Sequence, residues 1–367
     1  MSTHPVVNRT LLCAAVLAIT ALVPAAAFAQ LQINANEDVN IKFGFQGQFW
    51  ADWMQDANTT APQGYQQNLY LRRVRFLAGG QLAKDVTFFF ETDDPNVGKT
   101  PKAAGAGFIV QDAFLEWKIR NFLRLDGGLM LIPFSHQTLQ STLSYYTVDI
   151  SPLATPANAA TQSSVLRDLG FQFRGFLAKD KLQYRVGAFS GERDANARNS
   201  LRAAGYVQYN FWGKDLGYTL LGTALGKQKT LAVDAGFDRQ GAYRGFSANM
   251  AANIPVRGGD EIGGQIQYFK YDGRTKFPTI ANQNDYLVEL DYYSKALKIQ
   301  PFGKFETQRF VDVAQVKNDV LRSGTGFNYY VRGQNLKLTA QWFRALPVNS
   351  PNKPSNEFVV QMQVFYF

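Results

Sequence analysis

Leu169-Gly-Phe-Gln-Phe-Arg-Gly-Phe-Leu177 decides the reading of this chain. Leu169, Phe171, Phe173 and Leu177 fall in one phase and Gln172 and Arg174 in the other, so a strand here offers one face to lipid and one to water. The same pattern sets Leu182, Tyr184 and Val186 against Gln183 and Arg185. It sets Leu336, Leu338, Ala340 and Trp342 against Lys337, Thr339 and Gln341, and Leu297, Ile299 and Phe305 against Lys298, Gln300, Lys304 and Glu306. Such segments, about ten residues long and closed by Gly, Asn, Asp or Lys turns, recur along nearly the whole chain, which is the pattern of a transmembrane β-barrel. Helical periodicity is almost absent. A soluble β-sandwich also alternates, but an export signal, long strands and the terminal aromatic Phe367 favour the barrel.

The export signal is residues 1–29. Arg9 precedes the apolar run from Leu11 to Ala27, and Ala27-Phe28-Ala29 forms a small-x-small cleavage site. The sole cysteine, Cys13, leaves with it, so disulfide scaffolds, cysteine metal sites and thiol chemistry are excluded from the mature protein. Residues 30–38 then read as a short periplasmic segment and residues 39–367 as the barrel. No later run approaches the roughly 20 apolar residues of a membrane helix. An aromatic content of 14% and 31 glycines exclude disorder. The formal net charge is +9 at pH 7 with no basic stripe or binding motif behind it, so no nucleic-acid partner is expected.

Connection lengths orient the barrel. Short links such as Arg120-Asn121, Ala178-Lys-Asp-Lys181, Ser294-Lys-Ala296 and Arg332-Gly-Gln334 alternate with long ones spanning Gln55 to Asn68, Pro95 to Gly107 and Phe134 to Arg167. Short turns face the periplasm and long loops the exterior. Seventeen segments qualify as strands, but both ends in the periplasm require an even number, and Gly217 to Lys229 lacks a polar face. That stretch is therefore read as an extended periplasmic turn, leaving sixteen antiparallel strands. Such a barrel encloses an aqueous channel. The 33 residues from Phe134 to Leu166 are too long for an ordinary connection and are expected to fold inward as a constriction loop. Trp50, Trp117, Trp212, Tyr292 and Trp342 are expected on the lipid face as interfacial girdles.

Several pieces in order resemble the phosphate-selective porins O and P: Leu71-Arg72-Arg73-Val74-Arg75 leading to Gly79-Gly80-Gln81-Leu82, Phe88 to Asp94, Gln111-Asp-Ala113, Gly127-Gly128 to Ile132-Pro-Phe134, Gly222-Thr-Ala-Leu-Gly-Lys-Gln-Lys229, and Phe367. The resemblance implies a trimeric 16-stranded channel that admits anions, with Arg72 and Arg73 as its central arginine pair.

By alternation the lumen carries basic and acidic side chains in nearly equal numbers, so their clustering decides which ions pass. Arg72, Arg73 and Arg75 form the densest basic group, and guanidinium groups grip oxyanions and carboxylates bidentately. Lys118 and Arg124 extend the candidate anion path, with Glu91 and Asp93 as opposing eyelet charges. Strict alternation turns Arg72 toward lipid if Arg73 faces the pore. A charge at mid-bilayer costs about 2–4 kcal/mol, so Arg72 must lie at the rim, at a protein interface or beside a bulge.

His136 is the only histidine after the signal, and it could serve a Ser135-based hydrolase, though no nucleophile elbow supports one. The reading reached is a porin, not an enzyme, needing no cofactor or metal. It passes small anions such as phosphate, other oxyanions or carboxylates, together with polar solutes. Its expected partners are outer-membrane lipid, two further copies in a homotrimer, and the barrel-assembly machinery acting on Phe367. The alternative is an outer-membrane barrel with a hydrolase-type or anchoring role.

Overall fold

A computed structural model of the chain describes residues 31–56, 64–99 and 107–367. The expected signal, residues 1–29, lies outside them. Among the described residues there are seventeen strands: β1 (Leu31–Asn34), β2 (Asn40–Gln55), β3 (Tyr65–Ala83), β4 (Val86–Asp93), β5 (Ile109–Arg120), β6 (Leu123–Leu131), β7 (Arg167–Leu177), β8 (Leu182–Phe189), β9 (Arg202–Trp212), β10 (Thr230–Gln240), β11 (Tyr243–Pro255), β12 (Glu261–Asp272), β13 (Gln283–Tyr293), β14 (Ile299–Phe310), β15 (Val320–Gln334), β16 (Leu336–Pro347) and β17 (Ser355–Tyr366).

From β2 to β17 each strand pairs antiparallel with the next, and β17 closes on β2 from Glu357 opposite Met54 to Tyr366 opposite Phe45. The result is a closed 16-stranded antiparallel barrel. Strand β1 is extra to it. It pairs Leu31–Asn34 with Phe43–Asn40 on the edge of β2 that β17 has left, because β3 occupies the whole of the other edge.

Side-chain burial is inverted relative to a soluble protein, as the alternation requires. On β7, Phe171 is 67% exposed on the outer face while Gln172 and Arg174 are 0% and 4% exposed inside. Trp117, Trp212, Tyr292 and Trp342 also face outward and are exposed. Trp50 departs from the expectation. It shares the phase of Gln46, Gln48 and Asp52, all buried in the lumen, and its Nε1 donates to Gln361 Oε1 at 2.7 Å. Its register, not the interfacial preference of tryptophan, sets its face.

The Phe134–Leu166 loop folds into the barrel as expected. It contains helix α1 (His136–Leu139), capped by Ser135, whose Oγ accepts from Thr138 N–H, and a 3₁₀ turn at Pro152–Ala154. Polar wall residues satisfy its backbone across the lumen. Ser247 Oγ donates to Phe134 O at 2.7 Å, Asn328 Nδ2 to Tyr146 O at 2.8 Å, Lys337 Nζ to Leu143 O at 3.2 Å, and Val148 N–H to Gln341 Oε1 at 3.1 Å. Its apolar residues Phe134, Leu153 and Ala157 pack with Tyr243, Phe269 and Tyr271 of the wall, so the hydrophobic core lies inside the barrel.

The stretch from Gly217 to Lys229 forms no strand, as read from the sequence, yet it is not a simple periplasmic turn. Its middle enters the lumen. Leu220, fully buried, bridges to Gln140 in parallel, and Tyr218 stacks on Phe114 with centroids 4.5 Å apart. Leu220 is buried there against Leu139 and Leu166 of the constriction loop, while Leu216 and Leu221 stay exposed.

Candidate functional site

The register between β2 and β3 shifts at one point: Gln48 pairs with Arg73 and Phe49 with Leu71, so Arg72 has no cross-strand partner. The extra residue is a β-bulge, and it turns two consecutive side chains, Arg72 and Arg73, to the lumen. That resolves the conflict posed by two adjacent charges in a membrane strand. Both arginines end on one carboxylate of the constriction loop. Arg72 Nε and Nη2 donate to Asp149 Oδ2 at 3.0 and 2.7 Å, and Arg73 Nη2 donates to Asp149 Oδ1 at 2.5 Å. Arg73 also donates to Gln48 Oε1 at 2.5 Å, and the Arg72 guanidinium lies 5.6 Å from the centre of the Trp50 ring.

A second bulge lies on β5. Glu91 pairs with Asp112 and Thr92 with Val110, so Gln111 is the extra residue, and Gln111 and Asp112 are both buried. Asp112 Oδ2 receives Arg167 Nη2 from the start of β7 at 2.9 Å. Arg75 sits between Glu91 and Asp93, 3.0 Å from each. Toward the short-turn end Arg124 pairs with Glu116 at 3.0 Å, and Arg174 contacts Glu116 and reaches Asp126 at 3.0 Å. Lys118 is exposed near that end of β5.

Burial pushes the Asp149 carboxyl up, but Arg73 and then Arg72 outweigh it and hold the group well below the usual carboxylate range. The loop therefore presents a fixed anion to the arginine pair. Burial pushes the neighbouring Tyr145 hydroxyl up to about 12, so it stays a neutral hydrogen-bonding group.

Two cavities flank this junction and share no lining residue. The one on the long-loop side holds about 450 Å³ and includes Trp50, Tyr70, Arg72, Asp149 and Phe343. The one on the short-turn side holds about 370 Å³ and includes Gln46, Arg75, Phe89, Phe114, Arg167 and Tyr218. Along β2 and β3, Gln48 and Arg73 lie between the two sets, so their hydrogen bond and the Asp149 pair form the layer that separates the cavities.

The structure thus places Arg72, Arg73 and Arg75 in succession along the lumen wall, Arg72 at the outer cavity, Arg73 in the dividing layer and Arg75 with Glu91 and Asp93 below it, and Arg124 and Lys118 lower still. Sequence reasoning assigned no role to Asp149 or Arg167. The signal for Asp149 was that it is the only acid between Phe134 and Leu166; Arg167 carried none, because it precedes the regular alternation of β7. Ser135 and His136 do not form a hydrolase pair: Ser135 Oγ caps α1, while His136 Nδ1 faces Asp234 Oδ2 at 3.3 Å. Phe367 turns inward, where its ring meets Phe89 edge-on at 5.9 Å and lines the short-turn cavity.

Solved structures share the fold at low sequence identity. OprB of Pseudomonas putida is 8% identical over 89% of this chain and 94% of its own, with a TM-score of 0.63. An anion-selective porin from Comamonas acidovorans is 12% identical over 89% and 99%, with a TM-score of 0.60, and the outer membrane channel DcaP of Acinetobacter baumannii is 11% identical over 91% and 99%, at 0.58. No curated protein matches the chain in sequence. The family model described as phosphate-selective porin O and P matches residues 43–301, which takes in both bulges, the whole constriction loop and the in-folded turn. On that match, over most of a porin barrel, the chain belongs to the phosphate-selective porin O and P family and forms a channel of the bacterial outer membrane.

Proposed function

We propose that the channel passes small anions in preference to cations by passive diffusion, with Arg72, Arg73 and Arg75 as its selectivity residues, Arg124 and Lys118 extending the path, and Glu91 and Asp93 as opposing charges. The observation that carries this reading is the charge of the outer cavity. Arg72, Lys99, Lys304, Arg322 and Arg344 line it against Asp149, Glu306 and Glu357, whereas basic and acidic residues balance in the inner one. A solute entering from outside meets net positive charge first, and rings of local charge filter ions by sign. The anion-selective porin from Comamonas acidovorans offers a precedent on the same fold. Phosphate, other oxyanions and carboxylates are the candidate solutes. The working assembly under this proposal is a homotrimer in outer-membrane lipid, inserted by the barrel-assembly machinery through Phe367.

Reversal potential in a planar bilayer under a potassium chloride gradient, with phosphate as competitor, tests the reading. Anion preference supports it. Cation preference gives control of the eyelet to Glu91, Asp93 and their acidic neighbours and refutes it.

A further inference from the structure

We propose that Asp149 is a tethered stand-in for the solute's own carboxylate, and that the solutes are carboxylates bearing an apolar, typically aromatic, body. This rests on the anion-channel reading and narrows it.

The Arg72–Arg73 cradle is built around a planar two-oxygen group. Arg72 takes one oxygen of Asp149 through two nitrogens and Arg73 takes the other. A carboxylate matches that fork geometry. The residue that fills it comes from a loop otherwise free of acids, and its carboxylate stays charged between the two guanidinium groups. A passing carboxylate can take over the same hydrogen bonds, one anion exchanging for another, so the arginines are compensated before and after the exchange in a partly buried place. Because the Gln48–Arg73–Asp149 layer divides the two cavities, that exchange is also the step that joins them.

The surfaces on either side define the rest of the solute. Trp50, Tyr70 and Phe343 line the outer cavity, and Phe89, Phe114 and Tyr218 the inner one. A hydrated inorganic oxyanion gains nothing from aromatic walls, whereas a ring attached to the carboxylate buries apolar area against them on both sides.

The test compares benzoate, acetate and phosphate as competitors of chloride current through the full channel in planar bilayers at neutral pH, for wild type and Asp149→Asn. Heat-modifiable mobility checks the fold of each. Benzoate should reduce the current at about tenfold lower concentration than acetate, the return on covering roughly 55 Å² of apolar surface at about 25 cal/mol per Å². If Asp149 leaves the cradle vacant about a tenth of the time, removing its charge should tighten both carboxylates about tenfold. Equal potency of benzoate and acetate overturns the aromatic assignment, and phosphate as the strongest competitor overturns the carboxylate one. Unchanged potencies in a folded Asp149→Asn overturn the stand-in role. A wild-type channel that prefers cations under the salt gradient instead refutes the underlying anion reading, which these potency ratios do not measure.

Discussion

Leu139 and Leu220 reach each other from opposite ends of the barrel. Leu139 lies in the constriction loop that enters from the long-loop side and Leu220 in the connection that enters from the short-turn side; both are fully buried, and Leu220 N–H donates to Leu139 O at 2.7 Å. The contact continues through Ser141 N–H to Leu220 O at 2.9 Å and Gly222 N–H to Ser144 Oγ at 2.9 Å. The constriction is thus a two-part structure, propped from below.

Gly222 is the tightest point of that prop. A Cβ there would lie 2.0 Å from Ser144 O, a backbone atom that cannot swing aside. Gly222→Ala should separate the two segments at a cost of about 1–3 kcal/mol. Since the barrel wall is untouched, the variant should keep its heat-modifiable mobility while its single-channel current becomes larger and noisier. A quiet, wild-type current would show that the turn does not support the loop.

Arg73→Ala with Arg75→Ala should shift the reversal potential toward cation preference. Each guanidinium is already paired with acids of the lumen, so removing both leaves Asp149, Glu91 and Asp93 facing the path, and the shift should be several-fold in permeability ratio. High salt should weaken the wild-type bias, because screening shortens the reach of each charge. An anion preference retained by the double variant would remove these residues from the selectivity mechanism.

Much of this was legible in the strand pattern, and the failures have physical causes. Alternation placed Gln172, Arg174, Gln183 and Arg185 inside and Leu169 and Phe171 outside, because a period of two leaves each residue only one face. The adjacent Arg72 and Arg73 announced an irregularity, since no regular strand puts both in water, but choosing among rim, interface and bulge needed the partner strand. Trp50 was misplaced because residue type was given weight over the phase set by Gln46, Gln48 and Asp52. The Asp149 pairing joins residues 76 and 77 positions apart through a loop without periodicity, so nothing local encodes it. Gly217 to Lys229 was recognisable as not a strand, but where it goes depends on tertiary packing alone.

Acid should leave the Asp149 contact intact over an unusual range. Its folded-state pKa is depressed, so its contribution is full above the unfolded value of about 3.9 and disappears only as pH falls through the lower folded value. The conductance difference between wild type and Asp149→Asn should therefore stay constant from neutral pH down to about pH 4. Convergence of the two channels near pH 5 would mean that Arg72 and Arg73 do not hold the carboxylate.

Phe367 is assigned the role of assembly signal, and its inward ring gives a way to separate that role from packing. Phe367→Leu keeps apolar contact with Phe89 but removes the aromatic group, while deletion of Phe367 removes both. Both variants should insert poorly into outer membranes in cells, and the leucine variant should still refold in detergent. Normal heat-modifiable, membrane-inserted protein after deletion would end the assignment.

The short strand β1 bears on how the cylinder keeps its two ends joined. The last strand stops at Phe45, so Asn40 to Phe43 would show a bare row of amide and carbonyl groups if Leu31–Asn34 did not cover them. An uncovered edge of that kind recruits strands from other molecules. A chain trimmed past Asn34 would carry a sticky notch at its seam, open to a strand from a second copy.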